Sequence, residues 1–295
     1  MKTLITGGTG FIGSHLKGDI KLSSKDVDLS NLTQTINYFE THSPDIIIHS
    51  AARQKNYLGM KASVADHLYD NSIINLNVFR AAQISKVKKI ISLSSINAFG
   101  SNAGTYYKES DLWNGEPNIE CYSDGHKNRL LHTLSKAYNL QYNMSCITLM
   151  LTNTYGPNSK VNNGAIPFLI DKCLKAKENN TDLIISGDGS AVRDFIHVND
   201  VAKLINWAIK VYNSIEPLIL STGQQTTIKD IVNIIIKAIE FKGNVIWNKN
   251  AEVGQSIKLC DNSKLKKLLP NFQFTSVEEG IKNLVKYSIT EKYAI

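Results

Sequence analysis

The sequence lacks the patterns of a disulfide framework, a zinc site and a membrane span. Its four cysteines lie far apart among 295 residues, with no Cys-x-x-Cys pair, so neither a disulfide scaffold nor a bound metal is expected. No apolar run approaches the length of a membrane helix, and the N-terminus has a lysine and then an early glycine instead of a secretion signal. We therefore expect a cytoplasmic protein with no membrane partner.

The chain also lacks any concentration of positive charge. Its formal net charge is +7, but the lysines are scattered and no basic stripe alternates with aromatic residues, so nucleic acid is not an expected partner. A composition of 42% hydrophobic and 20% charged residues is typical of a globular chain that buries a core. The length allows one large domain or two closely associated ones.

The most informative pattern lies at the N-terminus. Residues 2–6 are rich in apolar and β-branched side chains, which favours a buried parallel strand. Three glycines with G-x-x-G-x-x-G spacing follow, and residues 14–17 can begin a helix. This order favours a pyrophosphate site, because glycine lets the backbone approach the anion and a helix start offers free N–H groups. The expected cofactor contacts here are Gly7, Gly10, Phe11, Ile12 and Gly13.

Further segments are expected to contact the same cofactor. The second predicted strand, 19–22, is followed by Ser-Ser-Lys with no carboxylate at its tip. A cation there favours NADP over NAD, because it accepts the extra phosphate; a plain turn, with NAD as the cofactor, is the alternative. Small residues at the end of the predicted strand at 45–52 leave room for the cofactor. The expected contacts are Ser23, Ser24, Lys25, Asp28, Leu29, Ala51, Ala52, Arg53 and Asn71.

Strands and helices alternate along the first half of the chain. Strands are predicted at 45–52 and 89–95, and helices at 32–40 and 66–85. This order predicts an α/β fold with a Rossmann-type, doubly wound parallel sheet and right-handed crossovers. A smaller, interleaved α/β substrate domain is expected at the C-terminal side. The predicted domains are residues 1–156 with about 193–215, which bind the dinucleotide, and residues 157–192 with 216–295, which bind substrate.

Several motifs resemble the extended short-chain dehydrogenase/reductase superfamily, which contains NAD(P)-dependent sugar-nucleotide epimerases, dehydratases and reductases. In family order they are GGTGFIG (7–13), HSAA (49–52), SLSSINAFG (92–100), TNTYGP (152–157) and RDFIHVNDVA (193–202). The segments TNTYGP, QTTIKDIV (225–232) and GQSIKLCD (254–261) are similar to those of GDP-L-fucose synthases.

The resemblance implies hydride transfer at a sugar carbon, normally C4. In this superfamily a tyrosine is the general acid or base, a lysine stabilises its phenolate and binds the nicotinamide ribose, and a serine orients the substrate oxygen. A phenol titrates near pH 10, so it needs a fixed ammonium close by. The matching residues are Ser95, Tyr122 and Lys127. The implied substrate contacts are Asn97, Asn153, Pro167, Arg193 and Lys258, with Arg193 gripping the diphosphate.

At the position where the family carries its catalytic Tyr-x-x-x-Lys motif, this spacing is missing. Lys127 follows Tyr122 by five residues, and five residues of a regular helix turn through a net angle of about 140°. Three arrangements account for this spacing. An irregular or late helix start at Gly125 restores the pair, His126 takes the lysine position, or the site is impaired. The first is favoured, because Gly-His-Lys precedes an apolar helix.

Two other departures narrow the expected reaction. Asn97 and Gly164 stand where fucose synthases carry the cysteine and histidine of C3 and C5 epimerisation, and Ser95-Ile96-Asn97 replaces the Thr-Asp-Glu of 4,6-dehydratases. We therefore expect NADP-dependent reduction of a 4-keto deoxysugar nucleotide, GDP-linked, for a bacterial-type surface glycan. An NAD-dependent 4-epimerase and a catalytically silent cofactor-binding protein are the alternatives. The resemblance also implies a homodimer through helices at 66–85 and 128–139.

Overall fold

The computed structural model describes residues 1–55, 57–161, 164–251 and 254–293. Up to residue 151 its elements are β1 (Thr3–Thr6), α1 (Phe11–His15), β2 (Ile20–Leu22), α2 (Leu32–His42), β3 (Ile46–His49), α3 (Tyr57–Ala62), α4 (Val64–Ile84), β4 (Lys89–Ser95), β5 (Tyr106–Tyr107), α5 (Tyr122–Tyr142) and β6 (Ser145–Leu151). Short 3₁₀ turns lie at Ile96–Ala98, Ser101–Ala103, Glu109–Asp111 and Ile119–Cys121.

The remaining elements begin directly after β6. They are β7 (Asn153–Tyr155), α6 (Ala165–Glu178), β8 (Leu183–Ser186), β9 (Val192–Arg193), β10 (Phe195–His197), α7 (Val198–Val211), β11 (Leu218–Leu220), β12 (Thr226–Thr227), α8 (Ile228–Ile239), β13 (Val245–Asn248), β14 (Ile257–Cys260), α9 (Ser263–Leu268) and α10 (Val277–Tyr293). The chain divides into two compact units. Unit 1 is Met1–Leu151 with Val201–Leu220, and unit 2 is Thr152–Asp200 with Ser221–Ile295.

Unit 1 contains a parallel sheet with the strand order β11-β6-β4-β3-β1-β2. Every pairing in this sheet is parallel, so each connection has to cross over the sheet. The central strands β1 and β3 are buried along their whole length, as expected of strands covered on both faces. The predicted α/β fold with a Rossmann-type sheet is confirmed.

The core of unit 1 brings α2, α4 and α5 against the sheet. Its members include Leu4 and Ile47 from the strands, Phe39 from α2, Phe79 from α4 and Leu131 from α5. Because the strands are parallel, the carboxyl ends of β1, β3 and β4 share one edge of the sheet. The glycine turn, the HSAA segment and Ser95 all follow or end strands at this edge.

Unit 2 is built from short strand pairs and the helices α6, α8, α9 and α10. β7 pairs with β10, β8 pairs with β13, and β9 pairs with both β12 and β14. Its core includes Ile170 of α6, Ile231 of α8, Ile281 of α10 and Phe195 of β10. The chain passes from one unit to the other after residues 151, 200 and 220, and the functional domains predicted with boundaries at 156, about 193 and about 215 stay a prediction.

Local differences from the sequence prediction are small. The helix predicted from residue 14 instead begins at Phe11, and the strand predicted at 45–52 ends at His49. None of the four cysteines, all of which are described, is joined in a disulfide. In the described part of the chain, no helix has the length and apolarity that crossing a bilayer requires. His, Cys, Asp and Glu side chains form no cluster of metal ligands within those same residues.

Candidate active site

The turn after β1 is a tightly packed glycine cradle. Gly7 has a φ of +66°, and a Cβ added there would lie 2.8 Å from the Cα of Ala51. A Cβ on Gly13 would lie 2.2 Å from the carbonyl oxygen of Gly7, while one on Gly10 would lie 3.1 Å from that oxygen. The backbone N–H of Gly10 donates to the same oxygen at 2.9 Å. Side chains are therefore excluded where the backbone must stay open to a ligand.

Helix α1 starts at the far side of this cradle. Gly10 is its N-cap residue and provides no side-chain hydrogen bond. The first N–H groups of a helix have no acceptor inside the helix, and in α1 these belong to Phe11, Ile12 and Gly13. Such groups suit an anion. The predicted cradle residues thus lie together at the start of α1, a helix of five residues, and their role in binding a pyrophosphate stays a prediction.

The turn after β2 holds a carboxylate that the sequence interpretation passed over. Both the N–H and the hydroxyl of Ser23 donate to Asp26 Oδ2 at 2.7 Å, and the N–H of Lys25 donates to Ser23 Oγ at 3.2 Å. These donors, the hydroxyl first, lower the pKa of the Asp26 carboxyl. Ser24 and Lys25 are exposed. The lysine thus stands at the tip as predicted, beside a carboxylate already paired with Ser23.

The predicted contacts after β3 come together with those after β2. The Arg53 guanidinium lies 3.6 Å from Asp28 Oδ1 and 3.3 Å from Asp70 Oδ1. The buried Asn71 side chain accepts the Arg53 N–H at 2.9 Å and donates to the Arg53 carbonyl at 3.3 Å. Leu29 is buried, whereas Ala51 is half-buried and Ala52 is exposed.

A buried chain of hydrogen bonds leads from the cradle to helix α5. The N–H of Ala51 donates to Thr6 Oγ1 at 3.3 Å, and Thr6 Oγ1 lies 2.8 Å from His49 Nδ1. His49 Nε2 lies 3.0 Å from Asn75 Oδ1, and Asn75 Nδ2 donates to the Lys127 carbonyl at 3.5 Å. This chain was not anticipated from the sequence, although His49 lies within the HSAA motif.

The acceptors in this chain fix the tautomer of His49. An amide oxygen only accepts, so Nε2 carries the proton and donates to Asn75 Oδ1. Nδ1 then accepts the hydroxyl proton of Thr6. Burial, followed by the nearby positive charge of Lys127, lowers the pKa of His49 to about 4, although the hydrogen bond to Asn75 acts in the opposite direction. The imidazole is therefore neutral near pH 7.

Helix α5 begins at Tyr122, three residues before Gly125. The expectation that an irregular or late helix start at Gly125 restores the Tyr–Lys pair is therefore wrong. Glycine is required at position 125 because atoms of neighbouring segments lie too close to its Cα to leave room for a side chain. A Cβ there would lie 2.3 Å from the Cβ of Pro117 and 2.7 Å from the carbonyl oxygen of Asn97. The first turn of α5 thus packs directly on the turn that follows β4.

This close packing places Lys127 in a buried polar cluster. Its Nζ lies 3.1 Å from Asp124 Oδ1 and 3.4 Å from Gln54 Oε1. Asn97 Nδ2 donates to Asp124 Oδ2 at 2.7 Å, and the Asn97 N–H donates to Ser95 Oγ at 3.2 Å. The side chains of Lys127 and Asp124 are only 8% and 3% exposed. Ser95, Asn97, Asp124 and Lys127 therefore share the carboxyl edge of the sheet.

The charges in this cluster are matched. Burial alone would raise the pKa of the Asp124 carboxyl, but the Lys127 ammonium and the Asn97 amide lower it more, and the net pKa lies below its usual value. Burial and the Lys127 charge lower the pKa of the nearby His67, whose Nδ1 lies 3.0 Å from Ser123 Oγ. The cluster therefore contains one carboxylate, one ammonium and a neutral imidazole.

Tyr122 has a different partner. Its ring centroid lies 4.4 Å from that of His126, the residue one helical turn later, where side chains share a face. His126 Nε2 is buried and has no hydrogen-bond partner among the described residues. The structure thus pairs Tyr122 with His126 and Lys127 with Asp124. The catalytic roles of Ser95, Tyr122 and Lys127 remain predictions, and only the Asp124–Lys127 spacing could have indicated the second pair.

The remaining predicted substrate contacts lie in unit 2. Arg193 and Lys258 are paired residues of the neighbouring strands β9 and β14. The Arg193 guanidinium donates to backbone carbonyls of Val192 at 2.8 Å, Gln255 at 2.5 Å and Ser256 at 3.3 Å. These bonds fix the orientation of the Arg193 guanidinium beside a second cation, and the diphosphate role of both residues stays a prediction.

Asn153 and Pro167 are also held by their surroundings. Asn153 Nδ2 donates to the carbonyl of Asp194 at 2.9 Å. Pro167 is buried in the first turn of α6, where proline is well tolerated. It lines a cavity of about 360 Å³, which Asp171 of α6 and Tyr287 of α10 also line.

Comparison with known proteins gives consistent results. The family model described as "NAD dependent epimerase/dehydratase family" matches residues 3–234. GDP-L-fucose synthase of Dictyostelium discoideum is 32% identical, over 97% of this chain and 94% of that protein. A probable GDP-L-fucose synthase of Drosophila melanogaster is 30% identical, over 98% and 97%. A crystal structure of a GDP-L-fucose synthetase from Naegleria fowleri bound to NADP is 29% identical, with a TM-score of 0.91 over 99% of this chain and 93% of that one.

Proposed function

The chain belongs to the NAD dependent epimerase/dehydratase family, and from that premise we propose that it reduces a 4-keto sugar nucleotide with NADPH. Its membership confirms the predicted resemblance and makes it an NAD(P)-dependent sugar-nucleotide enzyme. The observation that carries the proposal is its similarity, over nearly its whole length, to GDP-L-fucose synthases. We propose a GDP-linked 4-keto-6-deoxysugar as the substrate, reduced to supply a deoxysugar for a surface glycan.

The cofactor site supports a dinucleotide. A side chain at Gly7 or Gly13 would clash with Ala51 or with the carbonyl oxygen of Gly7. Because neither residue has a side chain, the backbone can approach a pyrophosphate closely. The N–H groups of Phe11, Ile12 and Gly13 would hold its oxygens. Lys25, exposed at the tip of the turn after β2, would bind the phosphate that distinguishes NADP. The NADP-bound Naegleria fowleri structure supports the same choice.

The protein has to position the ketone and supply a proton. When bound, NADPH supplies the hydride that adds to C4 of the sugar. Ser95, at the end of β4, would donate its hydroxyl proton to a substrate oxygen at that edge of the sheet. Arg193 and Lys258 would hold the diphosphate of the substrate. One proton must also reach O4 for the ketone to become an alcohol.

The proposed reaction stops at reduction. An amide does not ionise near neutral pH, and Asn97 donates its amide hydrogen to Asp124. Gly164, the N-cap of α6, has no side chain. Neither residue can move protons at C3 or C5, where the fucose synthases that the sequence resembles use a cysteine and a histidine.

The decisive experiment combines the purified protein with NADPH and GDP-4-keto-6-deoxymannose and follows the loss of NADPH absorbance. We expect NADPH oxidation that depends on the sugar nucleotide, with a product that keeps its original configuration at C3 and C5 by NMR. Absence of turnover with every 4-keto sugar nucleotide tried would refute the proposal. Copurifying NAD and no net oxidation would indicate a 4-epimerase, and NADPH binding without any reaction would indicate a silent protein.

A homodimer through α4 and α5 is also proposed from the family resemblance. Tyr69 and Leu76 on α4 are 68% and 42% exposed, and their spacing of seven residues puts them on one face of that helix. Exposed apolar side chains on a shared face suit burial against a second copy of the chain.

A further inference from the structure

A buried carboxylate follows Arg193 directly in the chain. Asp194 is 0% exposed, and its side chain accepts hydrogen bonds from one short turn. Oδ2 accepts from the hydroxyl of Ser221 and from the N–H of Gly223 at 3.3 Å. Oδ1 accepts from the hydroxyl of Thr222 at 2.5 Å and from its N–H at 3.3 Å. One side chain therefore holds four donors of this segment, the 221–223 turn.

We propose that Asp194 positions the diphosphate site, acting through Arg193 and Lys258. This inference rests on the proposed function, in which these two cations hold the diphosphate of the sugar nucleotide. Asp194 itself need not touch the substrate, because its hydrogen bonds fix the strands that carry both cations.

Arg193 is linked to the 221–223 turn through a neighbouring strand. The turn leads into β12, where Thr226 is paired with Arg193 of β9. Asp194, the turn, β12 and β9 therefore form a closed ring of backbone and hydrogen bonds. A shift of the turn would move β12 and, through this pairing, the backbone of Arg193.

Lys258 is linked to the same turn on the other side of β9. It is paired with Arg193 and lies in β14, whose last residue is Cys260. Ser221 Oγ lies 3.4 Å from the carbonyl oxygen of Cys260. Through the turn, Asp194 is thus connected to both strands that pair with β9.

The 221–223 turn is packed between two buried side chains. Gly223 has a φ of +71°, and a Cβ added there would lie 2.5 Å from Nδ2 of Asn262. Asn262 is buried and donates from Nδ2 to the carbonyl of Thr222 at 2.7 Å. With Asp194 on one side and Asn262 on the other, the position of the turn depends on both contacts.

The main chain of Asp194 holds another predicted substrate contact. Asn153 of β7 donates its N–H at 3.3 Å and its side-chain amide at 2.9 Å to the carbonyl of Asp194. The side chain and the main chain of Asp194 therefore both hold segments to which the sequence assigns substrate contacts.

Neither stability nor attraction for the substrate explains this carboxylate. Burial raises the pKa of the Asp194 carboxyl, while the hydrogen bonds from the 221–223 turn act in the opposite direction, and taking a charge out of water costs free energy. A negative charge would also oppose the binding of a diphosphate. A role in placing the turn accounts for a buried carboxylate at this position.

The critical variant is Asp194→Ala, which removes both acceptor oxygens and leaves buried donors of the turn unsatisfied. We expect GDP affinity to fall, and KM for the sugar nucleotide to rise, by about tenfold or more. The value of kcat should stay within about twofold of wild type, because a loss of binding alone acts on KM, and NADPH affinity should not change. Calorimetric titration measures GDP affinity, and NADPH oxidation measures kcat and KM. Asp182→Asn, at an exposed carboxylate of unit 2, is the control and should keep wild-type values.

Milder variants separate position from charge and from folding. Asp194→Asn removes the charge but keeps an oxygen for Thr222, and its amide can donate to Ser221, so it should weaken GDP binding less than Asp194→Ala does. Thr222→Val removes one hydroxyl that donates to Asp194 and should weaken GDP binding by about threefold. Thr222→Ser keeps that hydroxyl and should restore the affinity.

The possible outcomes are distinct. Tighter GDP binding in Asp194→Ala or Asp194→Asn would mean that the carboxylate only repels the substrate, and it would overturn the inference. Wild-type GDP affinity in Asp194→Ala, with a loss confined to the unfolding midpoint, would show a merely structural role and would also overturn it. If Asp194→Ala does not fold, unchanged GDP affinity in Thr222→Val has the same consequence. Failure of the proposed function looks different, because wild-type protein would then reduce no 4-keto sugar nucleotide at all.

Discussion

The glycine cradle after β1 and the first turn of α5 both depend on close backbone packing, but the sequence specifies them differently. Gly7 has a positive φ and a Cβ on Gly13 would clash with the carbonyl oxygen of Gly7, so these two constraints arise within seven residues of chain, although Ala51 also approaches Gly7 closely. Gly125 has no unusual φ, and its constraint comes from Pro117 and Asn97. A local sequence motif can therefore predict the cradle glycines, whereas the need for glycine at position 125 can be explained only from its tertiary contacts.

The largest effect is expected from the cradle itself. In Gly13→Ala the new methyl group would lie 2.2 Å from the Gly7 oxygen, which forces the turn and α1 apart. We expect NADPH affinity to fall by about 100-fold or more, equivalent to about 2.7 kcal/mol, within the usual range for overpacking. Fluorescence titration with NADPH measures this loss, and circular dichroism checks that the variant is folded.

Gly10→Ala provides the graded comparison. Its Cβ would meet the same oxygen at 3.1 Å, a contact that a small shift relieves, so we expect a clearly smaller loss of NADPH affinity. Equal losses in both variants would mean that the turn does not discriminate between these positions, and wild-type affinity in Gly13→Ala would contradict the packing argument.

His49 connects the two regions and makes stability depend on pH. Its pKa is about 4 in the folded protein and about 6.5 in an unfolded chain. Between these values the unfolded state binds more protons, so stability falls as pH falls from 6.5 to 4, by up to about 3 kcal/mol. We expect His49→Asn to lose less unfolding free energy than wild type between pH 7 and pH 4.5, as measured by urea denaturation.

The half-buried His15 is the control for this pH effect. Since it lies outside the chain from Thr6 to Asn75, His15→Asn should keep the wild-type pH dependence of unfolding. The hypothesis is wrong if wild type and His49→Asn lose the same free energy on acidification.

The same contrast explains how far the sequence could predict the site. Apolar strands and glycine spacing are local signals, so the parallel sheet and the cradle could be predicted. The pairing of Lys127 with Asp124 depends on where α5 begins and on its approach to the turn after β4. The residue count between Tyr122 and Lys127 indicated a departure from the family pattern. The Asp124–Lys127 spacing allows an ion pair, but the sequence could not show that this pair is buried beside Asn97 and Gln54, because those residues come from elsewhere in the chain.

The smallest expected effect concerns the part of the cofactor site that the sequence left open. Lys25 is exposed, and its N–H bonds to Ser23 in a turn closed by Asp26. A single exposed ionic contact contributes about 1 kcal/mol or less. We therefore expect Lys25→Gln to weaken NADPH binding by up to about fivefold and to leave NADH binding unchanged, as measured by fluorescence titration of both cofactors.

The two cofactors together make this small effect interpretable. Loss of a contact with the extra phosphate weakens the binding of NADPH alone. A general loss of positive charge weakens the binding of both cofactors, and the exposed control Lys136→Gln measures that general effect. Unchanged affinity for NADPH in Lys25→Gln would mean that the Ser23–Asp26 turn is only a turn. The preference for NADP would then have to come from elsewhere, and Arg53, which pairs with Asp28, would be the next cation to test.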